Sequence, residues 1–129
     1  MMRNLSTFVL AVGLLASLAT PTAAQQLDVP IIEQADGDLD TCALGEVHGL
    51  KANGDGFLAV RSAPDSDYRK LDEVYNGNRV WIFQQIGKWY GVVYGVDNVD
   101  CSPINKDRRV RAPGKKGWVH GNWVRVIAG

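Results

Sequence analysis

From Leu58 onward the chain is a series of short runs rich in β-branched and aromatic residues, each closed by a turn signal. This punctuation restricts the fold more than any other feature. Leu58-Ala59-Val60-Arg61 is closed by Ala63-Pro64-Asp65, and the run 71–75 is closed by Asn76-Gly77-Asn78. Asn-Gly marks a tight turn because both residues tolerate the left-handed backbone region that such turns need. Arg79-Val80-Trp81-Ile82-Phe83-Gln84-Gln85 follows, then a second turn at Ile86-Gly87-Lys88, then Trp89-Tyr90-Gly91-Val92-Val93-Tyr94. Gly117-Trp118-Val119-His120 and Trp123-Val124-Arg125-Val126 complete the series. None of these runs keeps a helical period. Five or six short strands at turn-rich spacing predict an all-β fold, a small barrel or sandwich. Side chains alternate across a strand, so Trp81 and Phe83 share a face expected to be core, and adjacent Trp89 and Tyr90 point to opposite faces. Trp118 is expected in the core as well.

The N-terminal segment reads differently. Arg3 is the sole charged residue before Asp28, residues 8–19 are apolar, and Pro21-Thr22-Ala23-Ala24-Gln25 follows. A basic start, a short apolar middle and small residues before a polar one predict a secretory signal peptide over residues 1–24, cut after Ala24. The apolar run is shorter than the ~20 residues a membrane-spanning helix needs. No cysteine adjoins the cut, so a lipid anchor is not expected. The remainder is expected to be periplasmic or secreted, without stable membrane insertion. Of the 14 Lys and Arg residues only Arg3 precedes Gln25, and all 14 acidic residues follow it, so residues 25–129 carry a net charge of −1. Near-neutral charge gives no general attraction to nucleic acid or anionic membrane, and no nucleic-acid partner is expected.

Two cysteines, Cys42 and Cys101, lie in the exported part. An even count in an oxidising compartment predicts a disulfide. Closing so long a loop contributes about 4 kcal/mol in the chain-entropy account. Neither histidine lies near either cysteine, so no zinc spacing is present and no metal or other cofactor is expected. Two segments flank the cysteines. Residues 25–43 hold Asp28, Glu33, Asp36, Asp38 and Asp40 and no basic residue, and read as an extended, mostly solvated acidic arm. Residues 95–116 form a long polar loop inside the domain 44–129, carrying Lys106, Arg108, Arg109, Arg111, Lys115 and Lys116. Long loops in compact domains are functional or disordered. A Cys42–Cys101 bond sets the two segments side by side. The acidic arm is then expected to fold back on the basic loop, against the alternative of two solvated segments that never meet.

Four motifs in order resemble bacterial SH3-like domains. Gly56-Phe57-Leu58-Ala59-Val60-Arg61-Ser62-Ala63-Pro64 resembles the family's opening "LNVRSGP". Asn76-Gly77-Asn78-Arg79-Val80 resembles its "NGD-V" element, and Gly87-Lys88-Trp89-Tyr90-Gly91-Val92 its "G-WYKV" strand. Gly117-Trp118-Val119-His120-Gly121-Asn122-Trp123-Val124 resembles its closing "GWVHSSYL". The match covers about residues 46–127. The resemblance implies a partly open, SH3-like β-barrel of about five strands with a binding role and no catalysis, in relatives that recognise cell-wall peptides or act as adaptors. It places Trp89, His120, Asn122 and Trp123 at the positions of the peptide groove in eukaryotic SH3 domains. The chain departs from that pattern at His120, where the groove has proline, and in the length of the loop before Gly117.

Trp89 opens a strand beside a turn and Trp123 follows the Gly121-Asn122 bend. Both suit either a binding groove or the plugged ends of a barrel, since an exposed aromatic offers a rigid, flat contact for peptide or sugar. Asn53-Gly54-Asp55-Gly56 has the heart of a calcium loop, but Lys51 and Ser62 stand where the flanking acidic ligands belong, which favours a tight polar turn. No serine or cysteine accompanies His48 or His120 in a nucleophilic motif, and no catalytic residue is assigned. The expected function is a non-catalytic binding module for peptidoglycan stem peptides or an envelope protein. The alternatives are a structural or interaction subunit that meets anionic partners through the basic loop, and a small hydrolase. The sequence leaves the oligomeric state open.

Overall fold

A computed structural model of the chain describes residues 11–15, 29–51, 53–54 and 56–129. Most of residues 1–24, expected to be a signal peptide, the expected cut after Ala24, and Asp55 of the polar turn lie outside these residues. Among the described residues nine strands follow one another: β1 (Ile32–Glu33), β2 (Ala43–Val47), β3 (Leu58–Arg61), β4 (Lys70–Val74), β5 (Arg79–Ile86), β6 (Trp89–Tyr94), β7 (Arg108–Arg109), β8 (Lys115–His120) and β9 (Val124–Ala128). A 3-10 turn, Gly121–Trp123, links β8 to β9. Among the described residues there is no α-helix, and no helix is long and apolar enough to cross a membrane.

Seven strands form one antiparallel sheet in the order β4-β3-β8-β6-β5-β2-β9, which leaves β4 and β9 as its edges rather than closing a barrel. The expected turns are in place. Gly77 and Gly87 take φ of 87° and 58°, which a side chain would disfavour, at the β4–β5 and β5–β6 connections. Strand β2 begins at Ala43, so the sheet takes in the last residue of the segment read as arm.

Alternation along the strands divides the apolar residues between two cores. Val47, Leu58, Val60, Val74, Val80, Val92, Tyr94, Val119 and Val124 pack on one face, with Tyr90 against them. Phe83, Val93 and Trp118 pack on the other, with Trp81 and Trp89 against them. Neighbours such as Val92 and Val93, or Trp118 and Val119, therefore serve different cores. Trp81 and Phe83 share a face, and Trp89 and Tyr90 lie on opposite ones, as expected.

The second core exists because something covers that face, and the cover corrects the reading of the arm as mostly solvated at Val29, Ile31 and Glu33, while residues 36–40 are exposed as expected. Val29 and Ile31 are 4% and 0% exposed and join Phe83, Val93, Trp118 and the loop residue Val110. Ile31 sits over Gly91: a β-carbon there would lie 3.0 Å from Ile31 Cγ2 and 3.1 Å from Trp118 Cη2. Gly91 is thus a socket for the arm. The strand count of nine, against the expected five or so, is partly this same cover. Strand β1 of the arm pairs antiparallel with β7 of the long loop, Ile32 opposite Arg109 and Glu33 opposite Arg108. The Val110 N–H donates to the Ile31 carbonyl at 2.9 Å. The loop itself ends at Gly114, since Lys115 already belongs to β8.

Three further links hold the cover down. Cys42 and Cys101 form the expected disulfide, with Cα atoms 5.0 Å apart. The Thr41 N–H donates to the Cys101 carbonyl at 2.8 Å. Glu33, only 4% exposed, accepts from Arg108 Nε at 3.0 Å and from Thr41 Oγ1 at 2.9 Å. The acidic arm does fold back on the basic loop. One ion pair, its carboxylate buried and its guanidinium half exposed, and a strip of apolar burial join them, rather than a general charge attraction.

Candidate functional site

The two ends of strand β6 bring aromatic and charged groups together at the margins of the two cores. At the first end, β6 starts with Trp89, which pairs in register with His120 at the close of β8. Their rings meet edge to face, centroids 5.3 Å apart and planes at 71°. His120 also caps the 3-10 turn: its Nδ1 accepts from the Asn122 N–H at 3.2 Å. The Gly121 N–H donates to the Lys88 carbonyl at 2.7 Å, which fixes this turn against the β5–β6 hairpin. Trp123 ends the turn and is 39% exposed, with its indole edge against Gly49. The His48 N–H donates to the Trp123 carbonyl at 2.9 Å. Trp89, His120 and Asn122 are thus brought together. Trp123 stands at the Gly49 side of the same turn and belongs to neither core. Trp89 is partly occupied in packing on the second core.

At the other end, β6 finishes at Tyr94, beside a cleft of about 630 Å³ that the sequence reading missed. Its walls come from β4, from the start of β5 and β8, and from the loop after β6; Trp81, Arg79, Asp72, Glu73 and Lys115 line it. Asp72 accepts from the Tyr94 hydroxyl at 2.8 Å and from Lys115 Nζ at 3.4 Å. Partial burial pushes the Asp72 carboxyl up, but the Glu73 N–H, the Tyr94 hydroxyl and Lys115 together bring it below its usual value. Glu73 accepts from Lys70 at 2.7 Å and from the Tyr75 hydroxyl at 3.0 Å. These bonds lower the Glu73 carboxyl and raise the Tyr75 phenol. Both carboxylates are therefore anionic at neutral pH. The turn chemistry at Asn76-Gly77 was legible, but nothing in the linear pattern put Asp72 beside Tyr94, 22 residues on.

The six basic residues of the loop do not act as one patch. Arg108 is bound to Glu33, which raises its pKa further, and Lys115 is bound to Asp72. Lys116 is 5% exposed and buried under the loop, where its ammonium donates to the Ala112 carbonyl at 2.6 Å. Desolvation, and to a lesser degree Arg109, lower its pKa. It is not presented to a partner. Lys106, Arg109 and Arg111 remain exposed.

Among the described residues no group of three or more His, Cys, Asp and Glu side chains is placed to hold a metal ion. The fold and these two ends define a small, disulfide-linked, all-β protein with a turn-borne aromatic cluster and a charged cleft. Comparison of the chain with protein-family models, with curated proteins and with solved structures returned no match.

Proposed function

We propose that the chain is an exported, non-catalytic binding module of SH3-like type that engages a cell-wall stem peptide through Trp123 and the neighbouring Trp89–His120–Asn122 turn. Export rests on the pattern of residues 1–24, and a Cys42–Cys101 disulfide suits an oxidising compartment. The SH3-like reading rests on the four motifs in family order, since the sheet by itself is a seven-stranded antiparallel one with open edges.

One observation carries the binding role: a tryptophan used by neither core stands 39% exposed beside an ordered aromatic pair. Large exposed aromatics are costly in water and serve as anchors in binding surfaces. The turn is held by backbone bonds to Lys88 and His48, so the indole is positioned before any ligand arrives. The basic loop is a weaker candidate, because Arg108, Lys115 and Lys116 are engaged internally.

Sedimentation with purified cell walls, at low and high salt, tests the reading. Wild type is expected to pellet at both salt concentrations, and Trp123→Ala to lose at least ten-fold in affinity while keeping its fold by circular dichroism. Pelleting that survives Trp123→Ala and vanishes in high salt would assign binding to the exposed basic side chains instead. Absence of pelleting would transfer the surface to a protein partner.

A further inference from the structure

The cleft at the far end of β6 has a chemistry of its own. Trp89 and Tyr94 lie five residues apart on one strand, about 17 Å at the usual rise per residue, so the cleft is separate from the Trp123 turn. Its charges are of both signs, and they are not equally occupied. Asp72 and Glu73 are tied to Tyr94, Lys115, Lys70 and Tyr75 and stay anionic. Arg79 is different. It opens β5 directly opposite Glu46 of β2, the neighbour with which a cross-strand ion pair would form. Glu46 is instead taken by Arg125 of β9, at 2.6 Å. Among the described residues the Arg79 side chain has no hydrogen bond or ion pair, and Arg79 lines the cleft. An unpaired, planar fork of donors at the wall of a cleft is suited to a carboxylate.

The rest of the wall defines what lies beyond that carboxylate. Trp81 supplies a half-buried aromatic face, and Asp72 and Glu73, each paired with one lysine (Lys115 and Lys70), keep further acceptor lone pairs that an ammonium can share. We propose that this cleft is a second ligand site, for a molecule that carries an amine and a carboxylate on an apolar body: an amino acid or the end of a short peptide. Arg79 receives the carboxylate, the Asp72–Glu73 wall receives the amine, and Trp81 covers the apolar part. A volume of about 630 Å³ is within the range of small-molecule sites and takes a ligand the size of a dipeptide. The proposal does not depend on the Trp123 surface.

The test is a titration of ¹⁵N-labelled protein with L-alanyl-L-phenylalanine, followed at the Trp81 indole N–H and the Arg79 Nε–H. Three analogues accompany it: the N-acetyl form, the C-terminal amide and free L-phenylalanine. Saturable shifts at Trp81 and Arg79 are expected with the dipeptide. Blocking either terminus is expected to weaken binding at least ten-fold, Arg79→Gln to match the loss from the amide, and Trp123→Ala to leave binding unchanged. Comparable affinity for free phenylalanine makes the ligand an amino acid, and a clear preference for the dipeptide makes it a peptide end. Absence of saturable shifts at Trp81, equal affinity for the blocked forms, or an unaffected Arg79→Gln variant would each overturn the proposal. Loss of the titration in Trp123→Ala would show that the two surfaces are one and overturn their separation. Because the Arg79 side chain has no partner among the described residues, Arg79→Gln is expected to fold as wild type.

Discussion

Truncating Ile31 to alanine tests whether the arm is part of the folded domain or an appendage. Ile31 is fully buried, packed on Gly91 and near Trp118. The change removes three carbons, a loss of about 2.4 kcal/mol at roughly 0.8 kcal/mol for each. The cavity left above Gly91 adds to this, so the whole effect falls at about 2–4 kcal/mol. With an m-value of roughly 1.3 kcal/mol/M for a domain of this size, the urea midpoint falls by about 2 M or more. Ile32, one residue on, is only partly buried and points the other way, so Ile32→Ala is the internal control and is expected to shift the midpoint by less than half as much. Urea unfolding followed by tryptophan fluorescence measures both variants, and amide exchange on β6 and β8 locates the effect. If Ile31→Ala shifts the midpoint no more than Ile32→Ala, the arm does not bury Ile31 in solution and the account of a second core is wrong.

Replacing both Cys42 and Cys101 with serine is expected to lower stability by about 4 kcal/mol, since the bond closes a loop of 59 residues' separation; a loss below ~1 kcal/mol, measured in urea without reductant, would show that the cover is held by its other contacts. Lys116 has a folded-state pKa lowered by burial, so the folded protein sheds this proton before the unfolded chain does, and stability gains from this group as pH rises toward 10.5. The penalty is fully present below the folded pKa. Lys116→Met is therefore expected to be most nearly neutral or stabilising, relative to wild type, at neutral pH and to lose that advantage in alkali. A stability difference that stays constant up to pH 10.5 would contradict the assignment.

The strands β3 to β6, β8 and β9 and their turns were legible because they depend on local chemistry, whereas β2, a run Ala43–Val47 carrying Gly45 and Glu46, was not read. Asn-Gly and Ile-Gly-Lys turns, β-branched runs and the Trp89/Tyr90 alternation follow from backbone preferences of neighbouring residues, and the compartment argument sufficed for the single possible disulfide. The fold-back of the arm was expected, but the burial of Val29 and Ile31 was missed because the arm's composition is acidic and composition says nothing of where those two residues go. A signal was present in β6 itself. Val92 and Val93 are consecutive and apolar, and a strand with one wet face would alternate. Such a run means both faces are covered, yet it does not say by what.

What the sequence by itself determined, then, is the all-β class, the turn positions and the Cys42–Cys101 link, each set by residues that act on their own neighbourhood or by elimination. Only the tertiary structure decided that the acidic arm is a cover, that the buried Glu33 carboxylate pairs with Arg108, and that Arg79 stands without an acid among the described residues. These depend on meetings between residues far apart in the chain: 75 positions separate Glu33 from Arg108, and 79 separate Glu46 from Arg125. Their physical origin is competition for partners. Arg125 takes the carboxylate that lies opposite Arg79, and the open donor fork in the cleft is the consequence.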